Sequence, residues 1–192
     1  SLIGKSNDRA FAISAPYGSG KSSAALFWCQ LLELGKKPAE LKVLFEEAKK
    51  KSRQSEKDES VFCQWERRKP SGLAVPIVGF DGGSIPSVVL QAISNSLERN
   101  GQNAQAAKLK KLPKTMDGLK HAIEMVTVDS GKFDSLLLVW DEFGKVLERA
   151  TLQGDGKALL EIQIVAEIAS RSPAEAPFVF CILMHQTFAR YS

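Results

Sequence analysis

The sequence predicts an α/β fold, a three-layer αβα sandwich around a mainly parallel sheet, and three observations predict it. Short apolar runs at residues 9–15, 73–80, 135–140 and 178–184 recur along the chain, each bounded by turn-forming residues. Helical texture separates them, and apolar strands alternating with helices imply parallel strands covered on both faces. The chain has 192 residues, 44% hydrophobic and 25% charged. That is enough for one domain with its own core and excludes wholesale disorder, a collagen-like repeat and a disulfide-stapled miniprotein.

Taken in order, residues 9–15 hold Phe11 and Ile13 among small side chains and read as a buried strand, ending at Pro16-Tyr17-Gly18-Ser19-Gly20. Ala24, Ala25, Leu26, Phe27, Trp28, Leu31, Leu32 and Leu34 then make a helix with a broad apolar face, for which Gly35 is the expected C-terminal cap. Pro38 opens a second helix with Leu41, Leu44, Phe45 and Ala48 on one stripe and Glu46/Lys50 and Glu47/Lys51 four apart on the other side. Apolar periodicity is lost from Lys49 to Glu59, and residues 36–70 read as a charged, net basic helical insertion at the surface of a single domain spanning 1–192.

Residues 73–80 are the second strand, and Pro76 within it suggests an edge. Ser84 is the expected cap of a helix over 85–99. Residues 100–113 are polar and lysine-bearing, 116–128 read as helix, and 135–140 form a strongly apolar strand closed by Asp141-Glu142. A short helix over 144–150, a turn at Gly154-Asp155-Gly156, a helix over 157–171 and a strand over 178–184 ending in His185-Gln186 complete the series.

The net charge of +4 is too small to establish a nucleic-acid partner. No apolar run approaches the roughly 18–20 residues that cross a bilayer, and no signal segment is visible, so no membrane is expected. Cys29, Cys63 and Cys181 are widely spaced, without a Cys-x-x-Cys pair and with two histidines in the whole chain, which disfavours zinc. Cys29 and Cys181 lie in apolar surroundings that suit free thiols in a reducing, cytoplasmic setting. The chain opens at Ser1 rather than methionine, as expected of a piece of something longer.

Two stretches carry chemistry. Ala15-Pro16-Tyr17-Gly18-Ser19-Gly20-Lys21-Ser22 fits the phosphate-binding pattern G-x-x-x-x-G-K-[ST], with alanine at its first glycine. Gly18 and Gly20 let backbone N–H groups turn toward phosphate oxygens, and the helix start adds its positive dipole end. Pro16 to Ser23 are therefore the candidate nucleotide-binding residues, among them Tyr17, Ser19 and Ser23, with Lys21 directed at the β- and γ-phosphates and Ser22 at Mg²⁺. Asp141 and Glu142 stand at the carboxyl end of an apolar strand, beyond which ligands bind in open parallel sheets. Asp141 is expected to hold Mg²⁺; Glu142, with no helix or basic residue beside it to neutralise it, is expected to orient or deprotonate water. His185 and Gln186, at the end of the last strand, are open to two readings, a sensor of the γ-phosphate or a plain strand end, and His121 reads as an ordinary helical residue.

The combination APYGSGKS, LLLVWDE and a last strand ending in HQ resembles the core of P-loop NTPases with a catalytic glutamate after the magnesium aspartate, the AAA+ and related (ASCE) division. More narrowly, WDEFGKVLE followed by ILMHQTFARY is similar to large ATPases of bacterial phage-exclusion (BREX) systems. The resemblance implies ATP and Mg²⁺ as ligands, ATP hydrolysis driving conformational change in a larger protein, and Glu142, Gln186 and His185 as catalytic or sensor residues. It also implies a neighbouring subunit or domain supplying an arginine, and DNA or defence-complex proteins as partners. The chain departs from the pattern at Ala15, and it stops at Ser192 before the helical lid of such ATPases.

Other P-loop relatives lack support: there is no Asn-Lys-x-Asp guanine-reading segment and no Leu-Ser-Gly-Gly-Gln signature. A nucleotide-gated binding switch with little hydrolysis is the second functional reading. In it the basic insertion and Lys108, Lys110, Lys111 and Lys114 face nucleic acid or an acidic partner; the plain alternative is a solvated face.

Overall fold

The four apolar runs form four parallel strands of one sheet, in the order β1-β4-β3-β2. The computed structural model describes residues 8–34, 37–51, 65, 70–80, 82–129 and 131–185, the side chains of 38 and 48–51 excepted. In chain order the elements are β1 (Ala10–Ser14), α1 (Lys21–Glu33), α2 (Pro38–Lys51), β2 (Gly72–Val78), α3 (Ile85–Arg99) and α4 (Asn103–Leu109). Then follow α5 (Met116–Glu124) with a π-helical turn Met125–Asp129, β3 (Ser135–Asp141), α6 (Gly144–Leu152), α7 (Gly156–Arg171) and β4 (Phe178–Met184). Seven helices thus flank the sheet among the described residues. Gly35, the expected cap of α1, and most of the charged stretch after α2 lie outside them.

Composition explains the strand order. β3 and β4 are the most continuously apolar strands and occupy the two central positions, where both faces are covered. β2 lies at an edge, as Pro76 requires of a residue with no N–H to donate. β1 departs from the buried strand expected of residues 9–15: it forms the other edge, with Phe11 38% exposed. Its five residues alternate small with large side chains, and among the described residues only β4 pairs with it.

Side-chain alternation divides the core in two. Leu136, Leu138 and Trp140 of β3 and Phe178, Phe180 and Ile182 of β4 pack with Val89 and Ile93 of α3, Leu119 of α5, Val146 of α6 and Val165 of α7. Leu137, Val139, Val179, Cys181 and Leu183 point the other way, to Ala25, Cys29 and Leu32 of α1 and Leu41 and Phe45 of α2. Burial of a large apolar side chain contributes roughly 1.5–3 kcal/mol, so these two clusters dominate the folding energy. Trp65 joins the second cluster, so part of the segment read as a surface insertion is core.

Two details of the helices were not evident from pattern. α4 forms within the polar stretch 100–113, held by buried Ala106 and Leu109, too few apolar residues to show a period. Ser84 stands at the N-cap of α3 without a side-chain hydrogen bond there; instead the Ile85 N–H donates to the buried carboxylate of Glu161 in α7 at 3.0 Å. α7 is capped from the turn that precedes it, with the Ala158 N–H donating to Asp155 Oδ1 at 3.0 Å. Among the described residues no helix is long and apolar enough to cross a membrane.

Candidate functional site

Because all four strands run the same way, the turns after β1, β2, β3 and β4 emerge at one rim of the sheet. The loop after β1 is tied down at its start by the Ala15 N–H, which donates to the Met184 carbonyl at 3.3 Å. Gly18 (φ 74°) and Gly20 (φ 84°) then take left-handed backbone angles that allow the reversal into α1. Ala15 departs from the glycine pattern without strain, since Glu142 is the one non-glycine residue with positive φ among the described residues.

Lys21 is buried, and its ammonium donates to the Ala15 carbonyl at 2.6 Å, the Pro16 carbonyl at 2.8 Å and Ser19 Oγ at 3.3 Å. The cation therefore sits inside the curl of the loop. Pro16 to Gly20 are exposed, and Ser22 and Ser23 stand exposed on the first turn of α1.

The acidic strand end meets this loop. Ser22 Oγ donates to Asp141 Oδ2 at 2.5 Å, across 119 residues of sequence. Asp141 Oδ1 accepts the Glu142 N–H at 2.8 Å, which holds the turn beyond β3. Behind it, fully buried Trp140 donates its indole N–H to the Gly79 carbonyl at 2.9 Å and meets the Phe143 ring edge-on at 5.3 Å. The Phe143 N–H donates to the Leu183 carbonyl at 3.0 Å, anchoring the same turn to β4. A hydroxyl and a carboxylate oxygen converging on one point are a donor set suited to a hard divalent cation.

Glu142 does not stand as the sequence suggests. It adopts φ 56°, and its carboxylate accepts from the Lys145 ammonium at 2.7 Å. The expectation of a glutamate with no basic neighbour is thereby corrected: α6 begins at Gly144 and brings Lys145, three residues on, back over the carboxylate. The hydrogen bond and charge of Glu142 push Lys145 above its ordinary pKa, and Tyr17 and Glu148 act in the same direction. Lys145 is the site residue that sequence reasoning missed; its spacing from Glu142 was the available signal.

His185, just beyond the end of β4, lies against the same loop. Its ring stacks on Tyr17 with centroids 3.6 Å apart and planes 18° from parallel, and its buried Nδ1 has no hydrogen-bond partner among the described residues. Gln186 lies outside the described residues. His121 is exposed on α5. Cys29 and Cys181 are free and buried, and burial pushes each thiol from 9.0 up to about 11, so neither is a nucleophile at neutral pH. Among the described residues no cluster of three or more His, Cys, Asp or Glu suits a metal ion. Comparisons of the chain with models of known families, with curated proteins and with solved structures return no match.

Proposed function

We propose that this chain is a P-loop NTPase core of the AAA+ and related type, with the three-layer arrangement of that fold, which binds Mg-ATP and hydrolyses it to drive conformational change in a larger protein. The observation that carries this reading is the hydrogen bond from Ser22 to Asp141, which joins the glycine loop to the acidic strand end. Lys21, inside the loop, exchanges neutral oxygens for phosphate oxygens when nucleotide binds, and the N–H groups of residues 18–22 and the α1 dipole add attraction for anions. Ser22 and Asp141 hold Mg²⁺, which supplies neutralisation of phosphate charge. Glu142 orients the attacking water, with His185, at the neighbouring strand end, and Gln186 as sensors.

The isolated chain turns over slowly, because an arginine from a neighbouring subunit or domain completes such sites and is worth ~10³ to 10⁵ in rate. The narrower reading, a module of a phage-exclusion (BREX) complex acting with DNA or defence proteins in the cytoplasm, rests on the two sequence stretches quoted above. Calorimetric titration of ATP and ADP with and without Mg²⁺, on wild type and Lys21→Ala, tests the binding step. Phosphate release by wild type, Lys21→Ala and Glu142→Gln tests the chemistry. Equal rates for the three proteins would reject hydrolysis at this site.

The second reading, a nucleotide-gated switch with little turnover, is favoured by the engagement of Glu142 with Lys145. It predicts tight Mg-ATP binding without phosphate release, and a salt-sensitive affinity for DNA or an acidic partner through the exposed Lys108, Lys110, Lys111 and Lys114, of which Lys110 is paired with Glu98, that changes with ATP.

A further inference from the structure

Asp141 and Glu142 are adjacent in sequence, yet their carboxylates have different partners. Asp141 is bonded to Ser22, at the start of α1. Glu142 is bonded to Lys145 at 2.7 Å, with its Oε2 beside Gly79, 3.8 Å from where a Cβ on that glycine would lie. A carboxylate that accepts a hydrogen bond from an ammonium is less available to orient a water or take its proton.

The backbone beneath Glu142 is already committed. Its left-handed φ is held by the Asp141 cap on its own N–H and by the Phe143 N–H on the Leu183 carbonyl. The part able to move is the Lys145 side chain, 61% exposed, on a stem of rotatable bonds. A change of lysine rotamer is therefore sufficient to release Glu142 and needs no movement of the turn.

We infer that Lys145 is a latch on Glu142, a positioning residue that restrains the carboxylate in the resting site and must swing away before water is activated. This rests on the proposed hydrolysis at the same site and adds to it a residue that limits its rate. Lys145 is not needed to hold nucleotide: the phosphate cradle is built from Lys21 and the backbone of the loop, so its loss acts on turnover and leaves binding in place.

The test compares wild type, Lys145→Met and Lys145→Arg in single-turnover release of γ-phosphate at saturating Mg-ATP, alongside the Kd for Mg-ATP and the melting temperature. Lys145→Met is expected to release phosphate about two- to fivefold faster than wild type, the scale of an exposed ion pair. Its Kd should stay within about twofold, the range of a substitution that removes no ligand. Lys145→Arg, which keeps the charge, is expected to stay near the wild-type rate. Raising salt from about 0.05 to about 0.5 M weakens an exposed pair, so the ratio of variant to wild type should shrink toward one.

A Lys145→Met protein that binds Mg-ATP normally but releases phosphate no faster than wild type overturns the latch while leaving the hydrolytic reading intact. Loss of Mg-ATP binding in Lys145→Met also overturns it, by making Lys145 a nucleotide ligand. A wild-type chain that neither binds nor hydrolyses Mg-ATP removes the hydrolytic reading and the latch with it.

Discussion

At the level of single residues, Lys21 and Asp141 make separable contributions. Lys21 buries an ammonium among three neutral oxygens, a poor substitute for the negative phosphates it is proposed to meet. Charge-assisted hydrogen bonds contribute about 1.5–3 kcal/mol, so Lys21→Ala is expected to weaken ATP binding by ~10²-fold, measured by calorimetry. Asp141→Asn keeps the shape and the acceptor for the Ser22 hydroxyl but removes the charge. Its ATP affinity is expected to become nearly the same with and without Mg²⁺, whereas wild type distinguishes the two. Asp141 and Lys21 were legible as residue types in a spaced pattern. The pairing of Glu142 with Lys145 and the Tyr17–His185 stack were not, because each depends on the left-handed turn after β3 or on how the loop lies across the end of β4.

Individual elements depend on contacts that local sequence does not announce. The first turn of α3 is capped from α7 by Glu161, whose buried carboxylate receives the Ile85 N–H. Glu161→Ala is expected to cost about 1–3 kcal/mol, seen as a fall of several degrees in melting temperature, while Glu161→Gln retains most of the stability because its amide oxygen still accepts. α5 begins where Thr115 Oγ1 accepts the Gly118 N–H at 3.2 Å and the chain doubles back on Pro113. A Cβ on Gly118 would overlap the Pro113 carbonyl oxygen. Gly118→Ala is therefore expected to destabilise by about 1–3 kcal/mol in denaturant unfolding, although in an open helix the same change would stabilise by about 1 kcal/mol. The helices with long apolar stripes, α1, α3 and α7, were legible from periodicity alone. α4 was not, because a seven-residue helix with two buried side chains leaves no measurable period.

Across the whole molecule, the two thiols make stability depend on alkaline pH. Cys29 and Cys181 are raised from 9.0 to about 11 in the fold, so the unfolded chain releases these protons first as pH rises. Their contribution is complete below pH 9 and is lost as pH climbs from 9 to about 11, by about 1.4 kcal/mol per unit for each thiol. Unfolding free energies measured across that window should fall for wild type and flatten for the Cys29→Ala/Cys181→Ala double variant; parallel curves would refute the assignment. The strand boundaries to within two residues, the alternation of strands with helices, the edge position of β2 and the glycine turn after β1 followed from the sequence, because apolar period, proline and glycine act locally. Strand order, the exposure of β1, the core role of Trp65 and the Tyr17–His185 stack were decided by tertiary structure. They depend on which faces become buried and which distant side chains then meet at the rim of the sheet, a competition among long-range contacts that no short window of sequence contains.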